Sequence, residues 1–484
     1  MPQAITPIPL KIAYIGGGSR QWARSLMFDL ALCPDLTGEV WLYDIEMESS
    51  RLNERFGNWM QGQPGVLSKW RYIAEPTLDK TLQGADFVVI SIQPGTLEVM
   101  GQNIAIAARY GMHYPVGDTT GAPGLMRGLF SAIVYAGFAR AIAEHCPNAW
   151  IINYTNPMTM CTRTLTKVAP GLKVFGCCHE IFGTQELLAE LVAQHWHEHP
   201  ARAEIEVNVI GINHFTWIDR AIYKGRDVLA LARHHLEQPG ALHVFTRAEL
   251  LERVRAEARE RSDRMYANRE ISEEELQAAG SFVALHQVKY ELLRRFGILG
   301  AAGDRHLAEF VPGFTRSPEE LARWGILMTP VSMRIRRWKD APLRTQSIME
   351  GKQPFVIEHS GEEGVQQITS LLGLGNLMTN VNVPNVGQIT NLPLGAVVET
   401  NAYFSRDSVR PITAGALPAG VLSLVSRHVS NQEMIIEAAL TGDKDLAFQA
   451  IFNDPTTTAP IDDAWAMFNE MLQASRAYLP GWKM

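Results

Sequence analysis

The chain has 484 residues, 46% of them hydrophobic and 20% charged, which is typical of a globular protein long enough for two packed domains. Its net charge of −7 gives no electrostatic reason to expect a nucleic-acid partner. The N-terminal segment lacks the pattern of a secretion signal, and no run of about 18 apolar residues occurs, so no membrane association is predicted.

The cysteines are odd in number, two of them are adjacent, and their spacing fits no disulfide framework. They are Cys33, Cys146, Cys161, Cys177 and Cys178. We therefore expect reduced thiols and a cytoplasmic protein.

The first 215 residues alternate apolar, β-branched runs with helical stretches such as 20–33 and 124–145. The runs are KIAYIG (11–16), EVWLYD (39–44), DFVVISI (86–92), AWIINYT (149–155), KVFGCC (173–178) and EVNVIGIN (206–213). Such strands are buried on both faces, which predicts an α/β fold with a Rossmann-like, doubly wound, mostly parallel sheet. We assign it to residues 1–200 and expect a mixed α+β domain for substrate binding and oligomerisation in 201–484.

A charged helical segment lies at about residues 240–290. Because Glu and Arg alternate there, it is interpreted as a solvated face or a subunit contact and not as a nucleic-acid surface.

Gly16, Gly17, Gly18 and Ser19 directly follow the first strand and open a helix. Glycines at this point let the backbone turn tightly and approach a pyrophosphate at a helix N-terminus. The spelling IGGGSRQW lacks the third glycine of the full fingerprint, so an ordinary strand-to-helix turn stays an alternative.

Asp44 ends the second strand, where a carboxylate binds the adenosine ribose and repels a 2′-phosphate, which favours NAD over NADP. The alternative role for Asp44 is the N-cap of the following helix. Pro94, in the segment SIQPG after the next strand, lies at a chain reversal expected near the nicotinamide.

Three further segments place polar residues just after apolar strands: NYTNP (153–157), CCHEIFG (177–183) and GINHFTW (211–217). In an open α/β sheet ligands collect at such strand ends, so one crevice would receive several polar side chains. They are Asn153, Asn156, Cys178, His179 and His214. A thiolate and an imidazole with open positions suit a catalytic divalent ion, with manganese preferred over zinc. Each residue taken singly also suits a place in the core.

Taken in order, seven motifs resemble glycoside hydrolase family 4 over most of the chain. They are IGGGSRQWARSLM, GDTTGAPGLMRG, NYTNPM, GCCHEIFGTQ, GINHFTW, GAAGDRHLAEF and NLPLGAVVETNA. The tetrapeptide from Cys178 to Ile181 is similar to that of the α-galacturonidase group, which has Val in the last position.

The resemblance implies that Cys178 and His214 bind manganese, that Asn153 and Asn156 line the sugar and the metal, and that the glycine turn and Asp44 bind NAD. It places the catalytic base at Glu291, with Tyr290 beside it. The family has Tyr or Asp at this position, so Glu is a departure.

The implied reaction is hydrolysis through oxidation, an exception to the usual pair of carboxylates. NAD takes a hydride from C3, the metal polarises the ketone, a base removes the C2 proton and the C1–oxygen bond breaks; water then adds and the hydride returns. His179 would assist the leaving group, bind sugar or support the metal, and Asp118 would bind sugar hydroxyls or stabilise a turn. Arg305 and Arg127 are candidates for pairing with a uronate carboxylate. A homodimer or homotetramer is expected from the family.

Three other functions remain open on the sequence. An NAD-linked hydroxy-acid dehydrogenase would produce stoichiometric NADH. A catalytically silent NAD-binding sensor would not exchange the C2 proton of a sugar. A neutral-sugar α-galactosidase of the same family would differ only at the carboxylate contact.

Overall fold

The computed structural model describes residues 6–261, 272–280 and 283–482. The strands, β1 to β13 in chain order, are Ile8–Ile15, Leu36–Tyr43, Trp70–Ala74, Phe87–Ile90, Trp150–Asn153, Lys173–Gly176, Glu206–Ile212, Phe215–Tyr223, Arg226–Asp227, Leu299–Gly300, Leu377–Pro384, Val397–Ser405 and Ser408–Pro411.

The helices, α1 to α18, are Trp22–Ala31, Met47–Met60, Leu78–Leu82, Leu97–Arg109, Gly121–His145, Met158–Val168, Glu180–Trp196, Val228–Leu236, Arg247–Arg261, Glu273–Gly280, Gln287–Phe296, Asp304–Phe310, Pro318–Arg323, Val331–Met349, Gly364–Leu371, Ala419–Thr441, Lys444–Phe452 and Ile461–Ser475. Short 3-10 helices cover Arg202–Glu204 and Arg476–Tyr478. Part of the charged segment at 240–290 lies outside the described residues.

The large sheet has the order β13-β12-β11-β6-β5-β4-β1-β2-β3, and its strands β1 to β6 are parallel. The order 3-2-1-4-5-6 in these six strands is that of a dinucleotide-binding Rossmann sheet. Strand β4 is buried on both faces of the sheet, as the sequence predicts. Phe87 and Val89 join the core on one face, and Val88 and Ile90 join the core on the other. The predicted fold class is confirmed.

Two features differ from the sequence-based expectation. Strand β3 was not predicted, because its five residues WRYIA lie at the sheet edge and carry an exposed Arg71. The prediction that 206–213 ends beside the other parallel strands is wrong: β7 pairs antiparallel with β8 in a second sheet of order β10-β8-β7. His214 therefore lies in the tight turn between β7 and β8, with φ of 62°.

The two halves of the chain share one sheet. Strands β11 to β13 come from the second half and continue the sheet beyond β6 in antiparallel orientation. The predicted boundary near residue 200 falls between α7 and β7.

The 25-residue helix α5 is long and apolar enough to cross a membrane by length and composition alone. However, 67% of its most apolar window is buried inside the protein, as in the core helix of a globular protein. The start of this helix follows the loop that carries Asp118.

Candidate active site

The glycine turn between β1 and α1 is packed too tightly for side chains. Gly16 has φ of +93°, and a Cβ there would lie 2.1 Å from the Ser91 carbonyl oxygen. A Cβ on Gly17 would lie 2.6 Å from the Leu42 Cβ. The Ser19 hydroxyl accepts a hydrogen bond from the Trp22 amide at 3.2 Å. The turn therefore presents bare backbone at the start of the helix, as pyrophosphate binding requires.

Asp44 ties the end of β2 to this turn. Its Oδ2 accepts a hydrogen bond from the Gly18 amide at 2.9 Å, and its Oδ1 accepts one from the Glu46 amide at 2.9 Å. Burial raises the pKa of Asp44, and these two amides oppose the rise. The N-cap position of α2 is Glu46, so Asp44 lies two residues before the cap.

The loops after β4 and β5 are joined by Arg127 of α5. Its Nε donates to the Asn156 carbonyl oxygen at 3.0 Å and its Nη2 to Gln93 Oε1 at 3.2 Å, next to the buried Pro94. The Asn156 Oδ1 is buried without a hydrogen-bond partner among the described residues. Asn153 is fully hydrogen-bonded inside the protein. Of the two asparagines, only Asn156 thus has a side-chain oxygen available to a ligand.

Asp118, His214 and His306 come together, with their potential ligand atoms within 4.8 Å of one another. The Thr119 hydroxyl donates to Asp118 Oδ1 at 2.7 Å and lies 2.9 Å from His214 Nδ1. Since the hydroxyl proton goes to Asp118, the imidazole donates from Nδ1, which leaves the Nε2 lone pair for a ligand. The Nδ1 of His306 is buried without a partner among the described residues.

Cys178, the other predicted ligand, is not one of these three residues. Its thiol is buried, and burial raises the pKa of Cys178 well above its usual value. Asn213, the neighbour of His214 in sequence, donates to Glu399 Oε2 at 3.2 Å. Asn380 donates to Glu399 Oε1 at 2.7 Å and to the Cys178 carbonyl oxygen at 3.0 Å. The cysteine and the histidine turn are therefore held by one amide–carboxylate network.

Burial and neighbouring charges set the protonation states of His214 and Asp118. Burial lowers the pKa of His214 to about 3, so this imidazole is neutral at neutral pH. Burial alone would raise the pKa of Asp118, but His306, His214, Arg334 and Arg127 outweigh it and hold that pKa well below its usual range. The guanidiniums of Arg334 and Arg127 remain positively charged whatever the state of the two imidazoles, so they favour the ionised form of Asp118 throughout.

Glu180 and His179 begin α7 and face different partners. Glu180 accepts from the Gly303 amide at 2.8 Å, and its other oxygen lies 3.7 Å from His306 Nε2. Burial would raise the pKa of Glu180, but His306 and His214 outweigh it and lower the pKa to about 2. His179 Nδ1 lies 2.8 Å from Glu362, and this hydrogen bond raises the pKa of His179.

On α11, the two residues predicted as the catalytic base, Glu291 and Tyr290, contact side chains other than those of Asp118, His214 and His306. Glu291 forms ion pairs with Arg294 and Arg295 on its own helix. Tyr290 packs with its ring centroid 5.7 Å from that of His235, and burial raises the pKa of its phenol.

Lys289, which the sequence analysis did not select, is a buried lysine of α11 whose charge interacts with Asp304 and Glu180. It is 3% exposed, burial lowers the pKa of its ammonium, and Asp304 and Glu180 partly offset that. Its Nζ lies 3.5 Å from His286 Nδ1.

Other contributors were missed because their signals are not local. His306 belongs to the GAAGDRH motif and Glu399 to the VVETNA segment, but the sequence analysis assigned no role to either residue. Both reach the site only through tertiary packing, from α12 and β12.

Comparison with known proteins identifies the family. Residues 11–194 match the family described as Family 4 glycosyl hydrolase, and residues 209–457 match the Family 4 glycosyl hydrolase C-terminal domain. The chain is 45% identical to an alpha-galacturonidase of Thermoanaerobacterium saccharolyticum over 98% of this chain and 97% of the relative. It is 28% identical to an alpha-galactosidase of Bacillus subtilis over 98% of this chain and 100% of the relative.

Solved structures share the fold. The crystal structure of the Bacillus subtilis protein lplD is 43% identical, covers 96% of this chain and 100% of that chain, and gives a TM-score of 0.84. A 6-phospho-alpha-glucosidase from gut microorganisms, in complex with NAD and Mn2+, is 16% identical over 98% of this chain and 100% of that chain, with a TM-score of 0.76. Together with the two family matches, these similarities show that the chain belongs to glycosyl hydrolase family 4.

Proposed function

We propose that this protein is an NAD- and divalent-metal-dependent glycosidase that cleaves α-galacturonides. The observation that carries the choice of substrate is the identity of 42–45% to alpha-galacturonidases, over 96% or more of this chain, against 28% to an alpha-galactosidase. The site adds a chemical reason, because the guanidiniums of Arg334 and Arg127 are among the positive groups that lower the pKa of Asp118.

The residues at the β1–α1 turn fit NAD. Gly16 and Gly17 pack so closely against Ser91 and Leu42 that no Cβ fits, which leaves bare backbone at the turn, and Asp44 lies at the end of β2 beside Gly18. A carboxylate in that place favours two ribose hydroxyls over a 2′-phosphate. Asp44 is therefore proposed to bind the adenosine ribose, with Pro94 near the nicotinamide half.

The residues between β6, β7 and the Asp118 loop fit a divalent transition ion. Cys178 offers sulfur, His214 offers Nε2, and the buried Nδ1 of His306 has no partner among the described residues. Sulfur with imidazole suits a transition ion, and a bound dication would draw the proton from the thiol. Cys178 and His214 are proposed as the protein ligands, with Asp118 and His306 lining the open side.

When bound, NAD supplies a reversible hydride transfer at C3 of the sugar and the metal ion supplies Lewis-acid polarisation. The chain itself has to bind the sugar, exclude water and move protons. Asn156 Oδ1 is available for a sugar hydroxyl, and His179, whose pKa is raised by its hydrogen bond to Glu362, is proposed to donate a proton to the leaving group. The amine of Lys289, in its unprotonated form, is proposed as the group that receives the C2 proton, because Lys289 is 3% exposed and burial lowers the pKa of its ammonium.

The test is an assay of p-nitrophenyl α-galacturonide and α-galactoside with NAD, Mn2+ and a reductant. We expect cleavage of the galacturonide, dependence on both additions, and no accumulation of NADH. Stoichiometric NADH would indicate a dehydrogenase, cleavage of the galactoside alone would indicate a neutral-sugar enzyme, and NAD binding without turnover of either would indicate a sensor.

One variant distinguishes the loss of metal binding from the loss of NAD binding. Cys178→Ser removes the sulfur ligand while leaving the β1–α1 turn intact, so we expect loss of turnover with NAD affinity retained. Full activity of this variant would overturn the proposed metal site.

A further inference from the structure

Arg334 is a cation near the site that the function proposed so far does not use. We infer that Arg334 binds the carboxylate of the uronic acid and thereby determines the preference for uronides over neutral sugars. The inference rests on the proposed function and adds the residue that recognises the substrate's charged group. Arg305 and Arg127, the two arginines expected from the sequence, act as positioning residues through hydrogen bonds to neighbouring loops.

Arg334 is brought to the site by its place in the fold. It lies in the first turn of α14, shortly after Thr329 and Pro330. The Thr329 amide donates to the Pro115 carbonyl oxygen at 3.1 Å, which joins the beginning of α14 to the loop that carries Asp118. Arg305 Nη1 donates to the Thr329 hydroxyl at 2.7 Å, which holds the same point from α12.

The Arg334 guanidinium has a weak partner. Its Nη1 donates to the Met100 thioether at 3.9 Å, and a thioether is a poor acceptor. Within the described ranges no carboxylate oxygen lies within 4 Å of this guanidinium. A partly buried guanidinium with most of its five donors available is suited to a planar, two-oxygen anion.

Arg127 is used differently. It is 7% exposed, and its Nε and Nη2 join the loops at Asn156 and Gln93. Its replacement would disturb the site for every sugar, charged or neutral. Among the residues that the structure describes, Arg334 donates to the Met100 thioether and to no acceptor in these loops.

The experiment compares Arg334→Met, Arg334→Lys and the control Arg336→Met in the holoenzyme with NAD and Mn2+. Arg336 lies on the same helix, is exposed, and pairs with Glu274 at 3.2 Å, so its loss tests general damage to α14. For p-nitrophenyl α-galacturonide we expect kcat/KM to fall about 1,000-fold in Arg334→Met and about 10- to 100-fold in Arg334→Lys, and to stay unchanged in the control.

A binding measurement supports the kinetics without turnover. By calorimetry, galacturonate affinity is expected to fall at least about 30-fold in Arg334→Met, while galactose affinity stays within about threefold of wild type. If Arg334→Met does not fold, Arg334→Lys and Arg334→Gln carry the same comparison.

The outcomes separate the two proposals. If wild type does not cleave galacturonides, the proposed function fails. If wild type cleaves them and the Arg334 variants retain wild-type kcat/KM, or lose galactose and galacturonate binding equally, the assignment of Arg334 fails and the function stands.

Discussion

Glu309 provides a prediction whose size follows from the structure. This carboxyl is fully buried on α12, and its Oε1 accepts hydrogen bonds from the amides of Val116 and Gly117 at 2.6 and 2.9 Å. Its Oε2 is buried without a partner among the described residues. Burial raises the pKa of Glu309 from 4.5 to about 8. Glu309→Gln keeps an oxygen for the two amides and removes the ionisable group.

The sign of the effect follows from proton binding. Between pH 4.5 and about 8 the unfolded chain has lost the Glu309 proton and the folded protein keeps it, so the folded state loses stability as pH rises through this window. Each pH unit costs about 1.4 kcal/mol, so the stability of wild type relative to Glu309→Gln should fall by about 3 kcal/mol between pH 5 and 7. The variant has no such dependence at this position, because a glutamine amide does not titrate.

The assay is urea unfolding of both proteins without metal, at one protein concentration and at several pH values from 5 to 8. Other titrating groups, such as Glu399 with its pKa raised to about 7, contribute equally to both proteins and cancel in the difference. We expect the difference in the free energy of unfolding to grow with pH in favour of the variant. A difference that is constant across this range would refute the burial argument for Glu309.

Three further predictions concern the site. Lys289→Met should lower kcat on α-galacturonide at least about 100-fold, whereas Glu291→Gln should keep it within about threefold; the opposite result would restore Glu291 as the base. Asp44→Asn keeps the shape of the side chain and removes its charge, so the Kd for NAD in a fluorescence titration should rise about 10-fold, and an unchanged Kd would argue against ribose binding. Thr119→Val breaks the hydrogen-bond chain to His214 and should weaken Mn2+ binding in calorimetry about 10- to 100-fold, while equal affinity would exclude that role.

The parallel sheet and the glycine turn were predictable because their signals are local. Strands such as β4 are apolar in every residue, and consecutive glycines at the end of a strand indicate a tight turn with exposed backbone. Asp44 was found for the same reason, since it follows the second strand directly. These features depend on the order of residues along a short segment, which the sequence displays.

The residues proposed for the metal and the sugar were less predictable than the nucleotide-binding turn, because their positions depend on tertiary packing. His214 was selected from its motif through a wrong argument, since β7 belongs to the antiparallel sheet. The choice between Lys289, Tyr290 and Glu291 depends on how α11 is rotated, and a sequence window does not fix that rotation. Arg334 belongs to none of the seven family motifs and reaches the site through contacts at Thr329.

The central claim is that the glycosidic bond breaks after removal of the C2 proton and not by direct displacement at C1. The most direct measurement is hydrolysis of an α-galacturonide in D2O with NAD and Mn2+, followed by mass and NMR analysis of the released sugar. We predict deuterium at C2 of the product. Complete hydrolysis with only hydrogen at C2, and with no slowing of a substrate that carries deuterium there, would contradict the account.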